Sequence, residues 1–311
     1  MKKIAYLISA ISAGLFTSAA ANAEVSMSGS ASFAYVDAGG NTSSVHGGGV
    51  SFDLSTTTDA GVTIGAGAAI SLDKDSVNNS SAVTGATSLS FGFANGSITV
   101  GDDIGVADGK GKVGELVTYA DINQTGITNS VGIGDDEGSG IAASTSIGDM
   151  ALSVQYVWDG AADGDVDGAS TTSQGASLTI PVGAGSLVLA TASDDLSGTN
   201  MTETAAAYSM AAANGTISVG FTGTSGDTAS KEGEAISVAY ETSMGGLDIG
   251  VGYTGHDANS TTGQITDIVI SSSLGGGASI FAEYSNASGT VAAESASLSN
   301  NVLAVGTSVS F

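Results

Sequence analysis

The stretch Glu24-Val25-Ser26-Met27-Ser28-Gly29-Ser30-Ala31-Ser32-Phe33-Ala34-Tyr35 decides the fold. Val25, Met27, Ala31, Phe33 and Tyr35 fall on one parity, and Ser26, Ser28, Ser30 and Ser32 on the other. Successive side chains of a β-strand point to opposite faces, so this segment is a strand with one apolar and one wet face. The rhythm recurs along the chain. Val50, Phe52 and Leu54 alternate with Ser51, Asp53 and Ser55, and Met150, Leu152, Val154, Tyr156 and Trp158 form the clearest strand of all. Sixteen such segments run from Val25 to Phe311. The number is even, as single-chain bacterial barrels require, and about 18 residues per segment leaves room for a strand and a connection. Weak segments around Leu187 and Ala206 leave 14 or 18 strands open.

Composition points to the same solvent. Charged residues make up 12% of the chain, about half the share of a soluble domain, while mean hydropathy is +0.26. Lipid on one face makes such a strand set tolerable. The charge is one-sided, with 31 acids, 6 lysines and no arginine. A nucleic-acid partner is excluded, because a phosphate backbone needs a basic face. Cations are admitted as partners. Cysteine is absent, so no disulfide or thiol chemistry is available.

The N-terminus reads as an export signal. Lys2 and Lys3 precede the apolar run Ile4 to Phe16, and Ala21-Asn22-Ala23 forms a small-x-small cleavage site. Residues 1–23 are therefore expected to be a signal peptide, with the mature chain, 24–311, beginning at Glu24. The run is too short for a helical span of ~20 residues, and no later segment approaches that length.

The connections alternate between short and long. Short ones include Thr58-Asp59-Ala60-Gly61, Asn95-Gly96, Gly148-Asp149, Asn214-Gly215 and Gly275-Gly276-Gly277. Asn-Gly suits a two-residue hairpin, in which both positions take φ > 0. Long, acidic, Ser/Thr-rich connections are expected near 38–48, 73–85, 103–139, 159–174, 194–203, 223–232, 255–263 and 286–299. Outer-membrane barrels sort short periplasmic turns from longer outer loops in this way. The connection 103–139, about 37 residues, far exceeds ordinary loop length, and loops of that length are functional or disordered.

Three stretches carry a resemblance. Glu24 to Ala31 resembles the mature start of Gram-negative general porins, above all the alphaproteobacterial type. Thr58 to Ala66 resembles their first periplasmic turn and third strand, and Phe93 to Asp102 the approach to their constriction loop. The terminal Phe311 is similar to the porin C-terminus. The resemblance implies a 16-stranded transmembrane antiparallel β-barrel, an all-β fold, assembled as a homotrimer. It also implies that the third outer loop folds into the pore and that Phe311 serves as an assembly signal. One departure is clear: such porins set arginines opposite the constriction loop, and this chain has none.

The loop assignment makes Asp102, Asp103, Asp108, Lys110, Lys112, Glu115, Asp121, Asp135, Asp136 and Glu137 the candidate constriction residues. Parity assigns Asp53, Asp248, Asp267 and Glu283 to the lumen wall. Trp158, Tyr35, Tyr253 and Tyr284 fall at outer strand ends, as interfacial rings or as cross-strand packing. Asp163, Asp165 and Asp167 have the spacing of half a calcium loop, but Gln174 stands where a bidentate Glu belongs. No resident cofactor is expected, although the acidic loops could bind Ca2+ or Mg2+. The two histidines, His46 and His256, fall in expected loops without partners for catalysis, so an enzyme is not expected.

The resulting expectation is an outer-membrane porin in contact with lipid and lipopolysaccharide. It forms a water-filled, cation-selective channel for passive diffusion of small hydrophilic solutes and cations. The alternative is a secreted acidic surface-layer or adhesive β-protein. A solenoid of that kind needs a fixed short repeat, which the sequence lacks.

Overall fold

Sixteen strands follow one another and close on themselves. They are β1 (Glu24–Ala38), β2 (Asn41–Thr57), β3 (Thr63–Asp73), β4 (Ala82–Phe93), β5 (Gly96–Gly101), β6 (Ser139–Ile147), β7 (Met150–Asp159) and β8 (Thr171–Val182). They continue as β9 (Gly185–Leu196), β10 (Thr199–Ala212), β11 (Gly215–Gly226), β12 (Gly233–Met244), β13 (Leu247–Ala258), β14 (Thr261–Gly275), β15 (Ala278–Gly289) and β16 (Asn301–Ser310). The computed structural model describes residues 24–73, 82–101, 104–106, 110–111, 113–114, 116–117, 139–159, 171–196, 199–227, 233–258, 261–289 and 301–311. The expected signal peptide lies outside them. Each strand pairs antiparallel with its neighbours in sequence, and β1 pairs with β16, so the sheet is a closed barrel.

The alternation sorts the faces as expected. Val25, Met27, Phe33 and Tyr35 of β1 point outward and are exposed, while Ala34 and Val36 point inward and are buried. The same holds on β12, where Ile236 and Val238 are exposed and Ala235, Ser237 and Ala239 are buried. All sixteen apolar segments fall on separate strands, so the 14- and 18-strand alternatives drop out.

Three expected long connections are corrected. Strands β1 and β2 are separated only by Gly39-Gly40, β9 and β10 only by residues 197–198, and β13 and β14 only by residues 259–260. The polar residues assigned to these loops extend the ladders instead, for example Asp37↔Thr42 and Asp195↔Asn200. Backbone pairing does not require apolar side chains, so strands continue past the point where apolar alternation stops. Both histidines are corrected for the same reason: His46 lies in β2 and His256 in β13.

The Asn-Gly turns are also shifted by one residue. Phe93 pairs with Gly96 and Ala212 with Gly215, so the turn residues are Ala94-Asn95 and Ala213-Asn214. Gly96 and Gly215 begin the next strand, where a Cβ would collide with the carbonyls of Ser144 and Glu241. Close approach, not positive φ, requires glycine there. The φ > 0 position falls on Ala213, at 53°, the one non-glycine of that kind among the described residues.

At the seam, the Gly29 N–H donates to the Phe311 carbonyl at 2.9 Å, and the Phe311 N–H donates to the Gly29 carbonyl at 3.0 Å. The Phe311 ring lies over Gly29, with its Cζ 2.5 Å from where a Cβ would stand. Deleting Phe311 removes both bonds and this cover. It is expected to lower the yield of barrels that shift on boiling in SDS gels, whereas Phe311→Ala keeps the backbone bonds and is expected to lose less. Unchanged folded yield after deletion would remove Phe311 from the closure. For Ala213→Gly, relief of the left-handed strain is expected to stabilise the barrel by roughly 1 kcal/mol, read as a higher urea midpoint.

Candidate pore and its lining

The inner face of the barrel is built from the small and polar parity. Ser/Thr side chains there cross-bond between strands, as in Ser97–Ser144 at 2.8 Å, Ser209–Ser218 at 2.7 Å and Ser279–Ser308 at 2.7 Å. The expected wall carboxylates are all on this face but divide in two. Asp53 and Asp248 are exposed, whereas Asp267 and Glu283 are 1% and 5% exposed. Asp267 accepts the Ser285 hydroxyl at 2.6 Å and the Leu116 N–H at 3.2 Å. Further inner carboxylates went unread in the sequence. Glu203, buried on β10, was hidden in an expected loop, and Glu241 of β12 shares parity with Ser237 and Ala239.

Part of the connection between β5 and β6 lies against this inner face. The Val106 N–H donates to Gln155 of β7. The Gly111 carbonyl accepts the Ser237 hydroxyl at 3.1 Å, and the Val113 N–H donates to the Ser237 hydroxyl oxygen at 3.4 Å. Val117 packs into an apolar patch of Ala34, Val36, Ala287, Val302 and Ala304, bordered by Val269 and Phe281. The inner wall is therefore not uniformly wet, which corrects the reading of one fully polar face. The signal was present in β14, where Ile268-Val269-Ile270 places apolar residues on both parities. Toward the short-turn rim, Leu116 lines a cavity of about 410 Å³ together with Thr216, Glu241, Ser243, Asp248, Val269 and Ser271.

Of the candidate constriction residues, Lys110 is described and half-buried. Asp102, Asp103, Asp108, Lys112, Glu115, Asp121, Asp135, Asp136 and Glu137 lie outside the described residues, as do Asp163, Asp165 and Asp167. Gln174 faces outward on β8. Among the described residues no group of three or more His, Asp or Glu side chains is placed to hold a metal.

The outer face carries the rings. Tyr35, Trp158, Tyr253 and Tyr284 are exposed there. Tyr253 donates to Gln264 at 3.1 Å and Tyr284 to Asn301 at 2.8 Å, so each ring pairs an apolar body with a bonded polar tip. His46, also on this face, meets Phe33 edge-on at 4.9 Å. His256 instead faces inward and is buried.

Solved structures share this architecture. A mutant of the Rh. blastica porin superposes with a TM-score of 0.69 at 17% identity, over 93% of this chain and all of the other (100%). Salmonella typhi OmpF, in complex with daunomycin, gives 0.75 at 12% identity over 92% of this chain and 97% of its own. An anion-selective porin from Comamonas acidovorans gives 0.71 at 15% identity over 93% of this chain and 100% of its own. Curated protein sequences contain no match to the chain. A family model described as Gram-negative porin matches residues 9–292, nearly the whole barrel, and the chain belongs to that family.

Proposed function

We propose that the protein forms a water-filled, cation-selective channel for passive diffusion of small hydrophilic solutes and ions across the outer membrane. The membrane and the channel role follow from the family. The sign of selectivity rests on one observation. Among the described residues, the charged side chains on the inner faces of the strands, from Asp53 to Glu203, Glu241, Asp248, Asp267 and Glu283, are all carboxylates. The chain contains no arginine to oppose them.

The Comamonas acidovorans structure is that of an anion-selective porin on the same fold, so the fold does not set the sign. Side chains do. Carboxylates concentrate cations and repel anions over a Debye length, ~10 Å at 0.1 M salt, a distance comparable to a pore radius. The exposed Asp53, Glu241 and Asp248 carry most of this field, since water reaches them.

On the same reading the barrel assembles as a homotrimer. Its acidic outer loops bind Mg2+ or Ca2+ and through these ions meet lipopolysaccharide phosphates, which the loops would otherwise repel. The connection after β5 narrows the lumen, and Phe311 acts in assembly.

Two measurements on the purified protein in planar bilayers test the proposal. Under a KCl gradient at 0.1 M, the reversal potential is expected to lie toward the potassium side, to fade at molar salt, and to weaken in an Asp248→Asn, Glu241→Gln double variant. Anion selectivity at 0.1 M would sink the assignment of these carboxylates to the permeation path. Deletion of residues 118–128 is expected to raise conductance; an unchanged conductance would place the narrowing elsewhere.

A further inference from the structure

We propose that a recess at the short-turn mouth of the barrel binds small organic ammonium ions, in which a protonated amine is joined to a compact apolar body. The proposal names a solute class for the channel reading and rests on that reading.

The recess is the volume of about 410 Å³ that Glu241 of β12 and Asp248 of β13 share with Val269 and Ser271 of β14, Thr216 of β11, and Leu116. It lies close to the rim. Asp248 faces Ser243 in the second residue pair from the Gly245-Gly246 turn, and Glu241 faces Gly250 in the fourth. The two carboxylates are therefore diagonal neighbours on the inner face, with backbones about 7–8 Å apart.

Glycine at 250 makes the room. A Cβ there would lie 3.0 Å from Leu116 Cδ1 and 3.8 Å from Glu241 Cγ, so any side chain would grow into the space between them. The resulting volume falls within the ~300–1,000 Å³ of small-ligand sites.

Two kinds of surface meet in it. Glu241 and Asp248 are exposed to water. Asp248 Oδ1 accepts the Ser243 hydroxyl at 2.5 Å, which holds the carboxyl in place and leaves Oδ2 for another donor. The hydroxyls of Thr216 and Ser271 add acceptors, and Leu116 and Val269 add apolar wall. Among the described residues that line the recess none is cationic, so the negative potential is not cancelled locally.

This combination selects a class of ligand. An ammonium group carries three donors and no acceptor, and here it meets two carboxylates and hydroxyls. Its hydrocarbon body leaves water against Leu116 and Val269. A bare metal cation gains nothing from the apolar wall, and a neutral apolar solute gains nothing from the carboxylates. Asp53 provides the contrast. It is an exposed carboxylate of the same inner face, but it lies on β2 and does not line the recess.

The test uses 2-phenylethylammonium as the probe, with the ammonium ion and 2-phenylethanol carrying its two halves. Binding to the purified full-length barrel in detergent is measured against protein-free micelles, and block of single-channel current is read in planar bilayers. Saturable binding of 2-phenylethylammonium is expected, tighter than that of either half. Glu241→Gln and Asp248→Asn are each expected to weaken it about tenfold, the worth of one charge-assisted hydrogen bond. Val269→Ser is expected to weaken 2-phenylethylammonium and leave the ammonium ion unaffected. Asp53→Asn is expected to leave binding of the probe in place.

Three results would overturn the site. The ammonium ion binding as tightly as the probe would reduce it to diffuse attraction by the mouth. The alcohol binding as tightly would reduce it to a greasy hollow. Asp53→Asn weakening the probe as much as Asp248→Asn would place the effect in the field of the whole lumen. The binding measurement needs no current. A barrel that conducts without binding the probe therefore loses the site and keeps the channel reading, whereas one that binds without conducting loses the channel reading alone.

Discussion

Within lipid, no water is available to bond a stray N–H or C=O, and each unmet group costs several kcal/mol. A sheet meets that constraint only by having no edge. Here the ladder from β1 to β16 returns to its start through nine residue pairs, and the Gly29–Phe311 bonds extend it by one more position. Once the backbone is satisfied by closure, side chains are released from holding the sheet together. They need only be apolar outside and compatible with water inside. This accounts for a chain rich in Ser, Thr, Ala and Gly and poor in charge.

Closure also creates an interior that a loop can enter only on terms set by the wall. Backbone groups of a chain lying on the wall must find partners there, and Gln155, Ser237 and Asp267 supply them. Small residues let that chain approach closely, and the patch around Ala34 and Val302 receives Val117. The inner face thus serves two purposes. One sector holds the loop with bonded polar groups and apolar contact, and other positions leave Asp53, Glu241 and Asp248 open to water.

This division bears on charge. Counting acids by strand parity treats Asp53 and Asp267 alike, yet one is exposed and the other is engaged on both oxygens. A carboxylate influences an ion in the lumen through water, so exposure as well as parity decides its contribution. The anion-selective relative with the same architecture makes the same point at the level of the fold.

The amino-acid sequence alone determined a barrel of 14 to 18 strands, the face each strand turns to lipid, the short-turn rim and the place of the longest connection. Those features arise from a period-two pattern that is local: Met150, Leu152 and Val154 alternate whatever lies elsewhere in the chain. Strand ends were not legible past the lipid belt, because ladders such as Asp195↔Asn200 are made by backbone and leave no side-chain signal. His256 and Glu203 were misread as loop residues for that reason. Only the tertiary structure decided which inner residues face water and which hold the loop. Gly111 and Gly220 are far apart in sequence, and nothing local to either marks the contact; closing the barrel brings them together.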